Sequence, residues 1–397
     1  MAAEHWIRYQ LALGAGCRKT GEMTAYFGSA QKLFESGEYE WKLSGIFTPQ
    51  QIIKLKKSSP ESAYKVIEDC KKVGCGIVTP EDKLYPRMLR GLDDMPAVLY
   101  YKGDLKFLIH KIAIAVVGTR EANENSLSVA KSLSASLCRS GAIIISGGAL
   151  GVDSAAHTGA LEAGGKTAAV LGNGFGANYL SANEDLRNSV AQSGAVITEY
   201  PPYTPAISRN FPIRNRIISG LSHGTVVIEA GVKSGSLITA NTALEQGRDV
   251  FAVPGDVMSE KFRGVHKLIN DGAKPVFSAM DILEGYAAKY PTVLDYEKIE
   301  TELTMSGNVE KINTKTVIEE KKTEFHQESL ERVVDLSQLS DEAKTVYAVF
   351  GDEPIHIDDI MRKTGLDVSK IFSSVTELEL AELISSSAGK LYHKINN

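Results

Sequence analysis

The sequence predicts an α/β protein with a doubly wound parallel sheet, preceded by a helical domain and followed by a winged-helix domain. Three observations support this fold class: alternating strand and helix patterns in the middle, helically spaced apolar residues before them, and a three-helix pattern with two strands at the end. At 397 residues the chain is long enough for two or three domains. We predict a helical domain over 1–75, a core over 76–285, an acidic linker over 286–335 and a winged helix over 336–397.

The region before residue 76 has apolar residues at helical spacing, such as Trp6, Ile7 and Leu11, with glycines between the segments. The short turns suggest helix-hairpin-helix (SAM-like) geometry, a motif that often holds DNA backbone through turn amides. Because these turns carry few basic residues, we favour a packing or interaction domain over a DNA-binding one.

The core region contains short apolar runs bounded by glycine, serine or proline, which indicate strands. The predicted strands are Ile112–Val117, Ala142–Ser146, Thr167–Leu171, Ala195–Thr198, Thr225–Ile228 and Val250–Ala252, with helices over Ser126–Cys138, Ser154–Ala163 and Ser236–Gln246. Runs that are apolar on both faces suit a parallel sheet covered by helices. In such a fold, ligands bind beyond the carboxyl ends of the strands.

The segment over 286–335 is rich in acidic residues and has no strong period, which indicates a flexible linker. The segment over 336–397 shows three helical patterns and two strand-like runs around Ala388 and Gly389, as in a winged helix. Its third helix carries Lys370 among acidic and hydroxyl residues, whereas helices that read a major groove have more Arg and Lys. We therefore favour protein contact for this domain, with duplex DNA binding as the alternative.

The overall charge is −5, so any nucleic-acid binding must use a local patch. The N-terminus lacks the basic and apolar regions of a signal peptide, and no apolar stretch reaches bilayer length, so we expect a cytoplasmic protein without membrane contact. The four cysteines show no Cys-x-x-Cys spacing, which predicts reduced thiols and no metal site.

Glycine-rich turns follow two of the predicted strands. Gly118-Thr119-Arg120 follows the first, and Ser146-Gly147-Gly148 begins a longer motif that continues to Asp153. Glycines let the backbone approach an anion closely, and amides at helix N-termini bind phosphate. Asp153 either caps the next helix or serves the site, and His157 either contacts ligand or packs in the core.

A third turn is predicted to carry Arg214 and Arg216 just before a helix, with Phe211 nearby. Guanidinium groups bind phosphates and stack on bases, and an aromatic ring offers a platform for single strands. We expect one of the arginines, Arg216, to pair instead with Glu229. Further along, Lys233 precedes Ser234-Gly235-Ser236, a sequence suited to a phosphate-binding helix N-terminus.

These turns predict a phosphate site, for either a mononucleotide or a nucleic acid strand. The chain lacks a Walker A motif, which argues against ATP hydrolysis. Neither a nucleophile–base pair nor a carboxylate cluster stands out, so we predict a protein that is not an enzyme, with no catalytic residues and no cofactor.

Taken together, the motifs closely resemble the DprA (Smf, DNA-processing protein A) family. The resemblance rests on an ordered series of blocks: Gly118-x-Arg120, Ser146-Gly147-Gly148-Ala149-x-Gly151-x-Asp153, Phe211-Pro212-x-Arg214-Asn215-Arg216, Glu229-Ala230-x-x-x-Ser234-Gly235-Ser236 and Pro254-Gly255. It implies an extended Rossmann-like core that binds single-stranded DNA, forms a homodimer and loads RecA recombinase onto incoming DNA during natural transformation. One departure is Tyr179-Leu180, where family members often have Tyr-Pro.

The predicted DNA-binding residues are Gly118, Thr119, Arg120, Ser146, Gly147, Gly148, Phe211, Arg214, Arg216, Lys233, Ser234, Gly235 and Ser236. An alternative comes from another class of protein. The run Gly224–Glu229 is similar to a motif of nucleotide phosphoribohydrolases. In that alternative Glu229 would take part in cleaving base from sugar.

Overall fold

A computed structural model describes residues 2–109, 111–179, 181–287, 290, 339–351, 355–381, 383–387 and 391–394. The chain divides into two compact units, 1–308 and 309–397. The predicted acidic linker lies outside the described residues apart from 286, 287 and 290. The three boundaries between the four predicted domains stay predictions.

Short helices form the N-terminal part of the first unit: α1 (Ala2–Leu13), α2 (Thr20–Phe27), α3 (Ala30–Leu43), α4 (Pro49–Lys57) and α5 (Pro60–Val73). Thr48 and Gln51 form a capping box at the start of α4, which satisfies amides that the helix itself leaves free. Trp6 and Trp41 are buried in the apolar core of this region. The predicted helical fold of this region is confirmed, while its end at residue 75 and the helix-hairpin-helix geometry stay predictions.

A mixed sheet follows. Its strands are β1 (Gly76–Val78), β2 (Leu99–Gly103), β3 (Ala113–Val117), β4 (Ile143–Ser146), β5 (Thr167–Leu171), β6 (Ala195–Thr198), β7 (Gly224–Val227), β8 (Asp249–Ala252) and β9 (Lys274–Pro275). Within the described residues the order is β1-β2-β6-β5-β4-β3-β7-β8-β9. From β6 onward along this order, each strand pairs in parallel with the next. Strands β1 and β2 are antiparallel to their neighbours. All six predicted strands are present, and β1, β2 and β9 were not predicted.

Helices cover both faces of this sheet. They are α6 (Glu124–Arg139), α7 (Val152–Glu162), α8 (Glu184–Ser193), α9 (Asn210–Gly220), α10 (Gly235–Glu245), α11 (Arg263–Asn270) and α12 (Ala279–Ala287). Along β3, Ala115 and Val117 point into one apolar cluster while Ile114 and Val116 point into another. The doubly wound core is therefore confirmed.

The second unit contains α13 (Asp341–Tyr347), α14 (Ile357–Thr364) and α15 (Val368–Leu380), with strands β10 (Ile355–His356), β11 (Ile384–Ser387) and β12 (Leu391–Lys394). The strands pair in the order β10-β12-β11. Val346, Ile360 and Ile371 bring the three helices into one apolar core. This arrangement is the predicted winged helix, and the predicted wing tip at Ala388 and Gly389 lies outside the described residues.

The N-terminal helices dock on the sheet through a buried polar contact. The side chain of Gln10 donates to the backbone oxygen of Glu199 at 2.9 Å, and Tyr100 donates to Gln10 at 2.9 Å. Because each polar atom finds a partner, this interface is buried without an unsatisfied amide. Among the helices that the structure describes, none is both long enough and apolar enough to cross a membrane.

Candidate nucleic-acid interface

A crevice of about 380 Å³ opens at the carboxyl ends of the parallel strands. It lies where β3 has β4 on one side and β7 on the other, which is the point where strand order reverses and where ligands bind in doubly wound sheets. Its lining includes Gly118, Thr119, Arg120, Glu121, Ala149, Asp153, Phe211, Arg214, Asn215, Ser234, Gly235, Ser236, Ile238 and Thr239. The structure thus brings together residues from four distant motifs.

Arg120 and Phe211 form the mouth of the crevice. Arg120 is exposed in the turn after β3, and the carbon of its guanidinium lies 5.1 Å from the centre of the Phe211 ring. Tyr179 approaches the same ring at 5.4 Å between centroids. A cation beside an aromatic face is a surface that can hold a phosphate and stack a base.

Arg214 lies deeper, within α9, where it is 4% exposed. It donates to the backbone oxygen of Val170, and its Nε has no partner among the described residues. Burial lowers the pKa of Arg214, whereas the charge of Asp153 opposes that shift. Conversely, burial raises the pKa of Asp153, and Arg214 is the main influence that lowers it. The two groups form an electrostatic pair in the wall of the crevice.

The start of α10 forms another part of the lining, next to α9, where the Asn215 side chain donates to the backbone oxygen of Gly235 at 3.3 Å. Ser234 is the N-cap, and its hydroxyl accepts from the amide of Ser236. A side-chain atom added at Gly235 would meet nothing within 4 Å, so the backbone here is open to the crevice. The partial positive charge of a helix N-terminus faces this space and favours an anion.

Several predicted site residues do not line the crevice. Ser146 is buried and donates its hydroxyl to the backbone oxygen of Val116 at 2.7 Å. A Cβ at Gly147 would lie 2.6 Å from Arg214 Nη2 and 2.6 Å from Asp153 Oδ2, so only glycine leaves room for this pair. Gly148 is also buried, and Lys233 is exposed outside the lining.

Arg216 departs from its predicted role. It lies in α9, as does Arg214, so the predicted turn that carries two arginines is wrong. Its Nη2 is 2.5 Å from Glu199, its Nε is 3.6 Å from Asp94, and 5% of the residue is exposed. A buried, paired guanidinium is not available to phosphate. The predicted ion pair exists, but its partner is Glu199 and the predicted Glu229 is wrong.

Glu229 is completely buried behind the crevice. Its carboxylate accepts from the amide of Asn123 at 3.2 Å and from the Asn123 side chain at 2.9 Å, and Lys261 lies 4.0 Å away. A catalytic carboxylate must reach its substrate, so this position disfavours the phosphoribohydrolase alternative. Among the described residues, there is also no cluster of His, Cys, Asp and Glu that could hold a metal ion.

His157 is fully buried, and its Nδ1 lies 2.7 Å from the Thr167 hydroxyl. Of the two open interpretations, the structure supports the packing histidine. Burial lowers the pKa of His157 to about 3, so its ring is neutral in the folded protein.

Sequence reasoning missed part of the lining, including Glu121, Asn215, Ile238 and Thr239. Glu121 follows Arg120 directly, and Thr239 lies one helical turn after Ser236, so both could have been found from neighbouring positions. Because Glu121 and Asp153 offset two arginines, the crevice is less basic than the sequence predicts.

The fold and this site define a class of protein: a doubly wound α/β protein with a crevice at the carboxyl ends of its parallel strands, an added helical region and a winged helix. Comparison with known families is more specific. Residues 76–287 match the family described as DNA recombination-mediator protein A, and residues 332–390 match the DprA winged helix domain. The chain belongs to this DprA (Smf) family.

Individual relatives agree. The chain is 41% identical over 220 residues to the DNA processing protein DprA of Bacillus subtilis, covering 55% of this chain and 74% of that protein. It is 32% identical over 340 residues to protein Smf of a Synechocystis species, covering 83% of each. The solved structure of DprA from Streptococcus pneumoniae is similar with a TM-score of 0.60 and 32% identity, covering 70% of this chain and 95% of that one.

Proposed function

We propose that this protein binds single-stranded DNA in the crevice and acts as a DNA recombination mediator. The observation that carries the proposal is the pairing of the exposed Arg120 guanidinium with the Phe211 ring at the mouth of the crevice. Family membership supports the same role, since the family is described as a recombination mediator.

The geometry favours a single strand over a duplex. The Phe211 ring lines the same crevice as the turn after β3 and the start of α10, and an unstacked base can enter there. In a duplex the base faces are stacked on their neighbours and cannot reach such a ring. Arg120 and the α10 N-terminus supply phosphate contacts in this crevice.

The proposed action is not catalytic. The protein would hold a strand and deliver it to RecA recombinase, with a homodimer through the core offering two crevices. A mediator of this kind needs affinity for the strand and for the recombinase, and neither requires a reactive side chain at the crevice.

Binding can be measured by fluorescence anisotropy with a labelled oligo-dT and a duplex of equal length across a salt series. We expect a preference for the single strand and affinity that falls with salt, because binding releases counterions. Arg120→Ala should weaken binding and reduce the salt slope by about 0.7 for the lost phosphate contact. Lys166→Ala is the matched control, since Lys166 is exposed directly before β5, at the amino ends of the parallel strands and away from the crevice.

Equal binding to duplex and single strand, or unchanged binding by Arg120→Ala, would contradict the assignment of the crevice. An effect of Lys166→Ala equal to that of Arg120→Ala would indicate general charge attraction instead.

Delivery to the recombinase needs its own measurement. RecA assembly can be followed on single strands already coated with a single-strand-binding protein, by the ATP hydrolysis that assembled RecA performs. We expect the wild-type protein to shorten the lag and Arg120→Ala to leave it long. Sedimentation velocity of the same samples tests the homodimer.

For the winged helix we propose protein contact. Lys370 on α15 is held by Glu342 at 3.1 Å, while Val368 and Phe372 on the same helix are about half exposed. An exposed apolar pair beside a neutralised lysine fits a protein surface better than a phosphate backbone.

A further inference from the structure

Two cysteines face each other at the end of α5, where the helical region joins the sheet. The helix ends in a Schellman motif: Gly74 has left-handed backbone angles (φ 65°, ψ 45°) and donates to Lys71, and the amide of Cys75 donates to the oxygen of Cys70 at 3.0 Å. This motif brings the side chains on either side of the glycine into contact. Here those side chains are those of Cys70 and Cys75, and the two thiols are neighbours whose interaction shifts the pKa of each.

We propose that Cys70 and Cys75 are a thiol modification site that peroxide oxidises to a reversible disulfide. Neither thiol takes part in the crevice, and the site is independent of the proposed DNA binding. The pair belongs to the apolar cluster that also contains Tyr100, at the junction of α5 and β1.

The two thiols differ in their exposure and in the direction of their pKa shifts. Cys75 is half-buried and Cys70 is buried, so an oxidant in solution reaches Cys75 first. The hydrogen bond from Cys70 and the nearby charge of Lys102 lower the pKa of Cys75, whereas burial opposes them. The hydrogen bond to Cys75, together with burial, raises the pKa of Cys70. Because the thiolate is the nucleophile, Cys75 is the attacking sulfur and Cys70 the resolving one.

The chemistry balances with one molecule of hydrogen peroxide. The Cys75 thiol loses its proton, its sulfur attacks a peroxide oxygen, the O–O bond breaks, and the departing hydroxide takes that proton to become water. Cys75 is then a sulfenic acid. The Cys70 sulfur attacks the Cys75 sulfur as its own proton leaves, the S–O bond breaks, and a second water forms. Two thiols are oxidised to one disulfide, and peroxide is reduced to two waters.

The sequence makes the product easy to detect. Trypsin cleaves after Lys65, Lys71, Lys72 and Lys83, so Cys70 and Cys75 fall in separate peptides, 66–71 and 73–83. Only a disulfide joins these two peptides. After peroxide treatment of the full-length native protein, we expect the linked pair, lighter by two hydrogen atoms, and its disappearance with dithiothreitol.

The remaining thiols serve as controls. Cys17→Ser/Cys138→Ser should form the linked peptides as the wild type does. Cys70→Ser should leave Cys75 as a sulfenic acid that dimedone labels, and Cys75→Ser should show much less labelling at Cys70. Circular dichroism should confirm that each variant is folded before it is treated.

Three outcomes would overturn the proposal. One is the absence of linked peptides while Cys17 or Cys138 becomes oxidised. A second is a disulfide that joins Cys75 to Cys17. A third is dimedone labelling of Cys70 in Cys75→Ser that matches the labelling of Cys75 in Cys70→Ser.

Discussion

The guanidinium of Arg216 lies 2.5 Å from the carboxylate of Glu199, which also accepts the backbone amide of Gly16 through both oxygens at 3.1 and 3.2 Å. Arg216 belongs to α9 of the core, and Gly16 lies in the turn between α1 and α2. One buried ion pair therefore ties the helical region to the helix that carries Arg214. The pair therefore holds α9 on the side of the helix that faces away from the crevice.

Removing this pair should destabilise the first unit strongly. Arg216→Ala leaves the Glu199 carboxylate buried without its cation, which costs about 3–5 kcal/mol of the free energy of unfolding. Arg263→Ala is the control, because its pair with Glu260 is mostly exposed and contributes at most about 1 kcal/mol. Urea denaturation of both variants measures the difference. Equal small losses would show that the buried pair does not stabilise the fold.

Phe211 should contribute to single-strand affinity through its ring. Phe211→Ala removes the stacking surface and should weaken oligo-dT binding by about 1–3 kcal/mol, which is roughly 5- to 150-fold. Tyr39→Ala is the aromatic control, since Tyr39 is exposed on α3 in the helical region. Anisotropy titration measures both variants, with circular dichroism to check folding. Unchanged affinity in Phe211→Ala would show that bases do not stack there.

Gly147→Ala should disturb the buried Arg214–Asp153 pair. The added Cβ would lie 2.6 Å from atoms of both side chains, closer than packing allows, and overpacking of this kind costs about 1–3 kcal/mol. Gly91→Ala is the control, because an added Cβ there meets nothing within 4 Å and the backbone needs no left-handed angle. Thermal unfolding compares the two. A Gly147→Ala protein as stable as Gly91→Ala would mean that the wall of the crevice adjusts to the added Cβ without a loss of stability.

His157 should make stability fall as the solution becomes acidic. Its pKa is about 3 in the folded protein and near 6.5 when unfolded, so the unfolded chain binds the proton more tightly. The stabilisation is complete above pH 6.5 and is lost as the pH falls toward 3, at up to about 1.4 kcal/mol per pH unit. Urea midpoints of the wild type and His157→Gln across this range measure the slope. A slope that persists unchanged in His157→Gln would assign it to other groups.

Deleting residues 336–397 should leave single-strand binding intact. The winged helix is a separate compact unit with its own apolar core, and the crevice is lined by residues from the first unit. Anisotropy with oligo-dT compares the shortened and full-length proteins, and we expect affinities within about twofold, less than 0.5 kcal/mol apart. A large loss of affinity would move part of the DNA site to the winged helix.

The strands of the parallel sheet were predictable because each is an apolar run that needs burial on both faces. The runs Ile112–Val117 and Thr167–Leu171 were found almost to the residue. Strand β9 has two exposed residues and β2 ends in Tyr101-Lys102-Gly103, so neither has the pattern that marks a buried strand.

The site was predictable where a motif sits directly after a strand, as with Gly118-Thr119-Arg120. It was not predictable where burial depends on distant elements. Arg214 and Arg216 are separated by one residue within α9, so they point to different sides of the helix. One side meets the crevice and the other meets Glu199, and nothing in the local sequence distinguishes them.

The strand order around β3 also has a consequence for the timing of synthesis. The ribosome makes the Arg120 turn early, with β3, whereas the amides of α10 belong to a helix that follows β7. A nascent or truncated chain that stops before Ser234 contains the Arg120 turn of the crevice and lacks the start of α10. Because domains fold as units during synthesis, the proposed site for single-stranded DNA forms only after α10 has been translated.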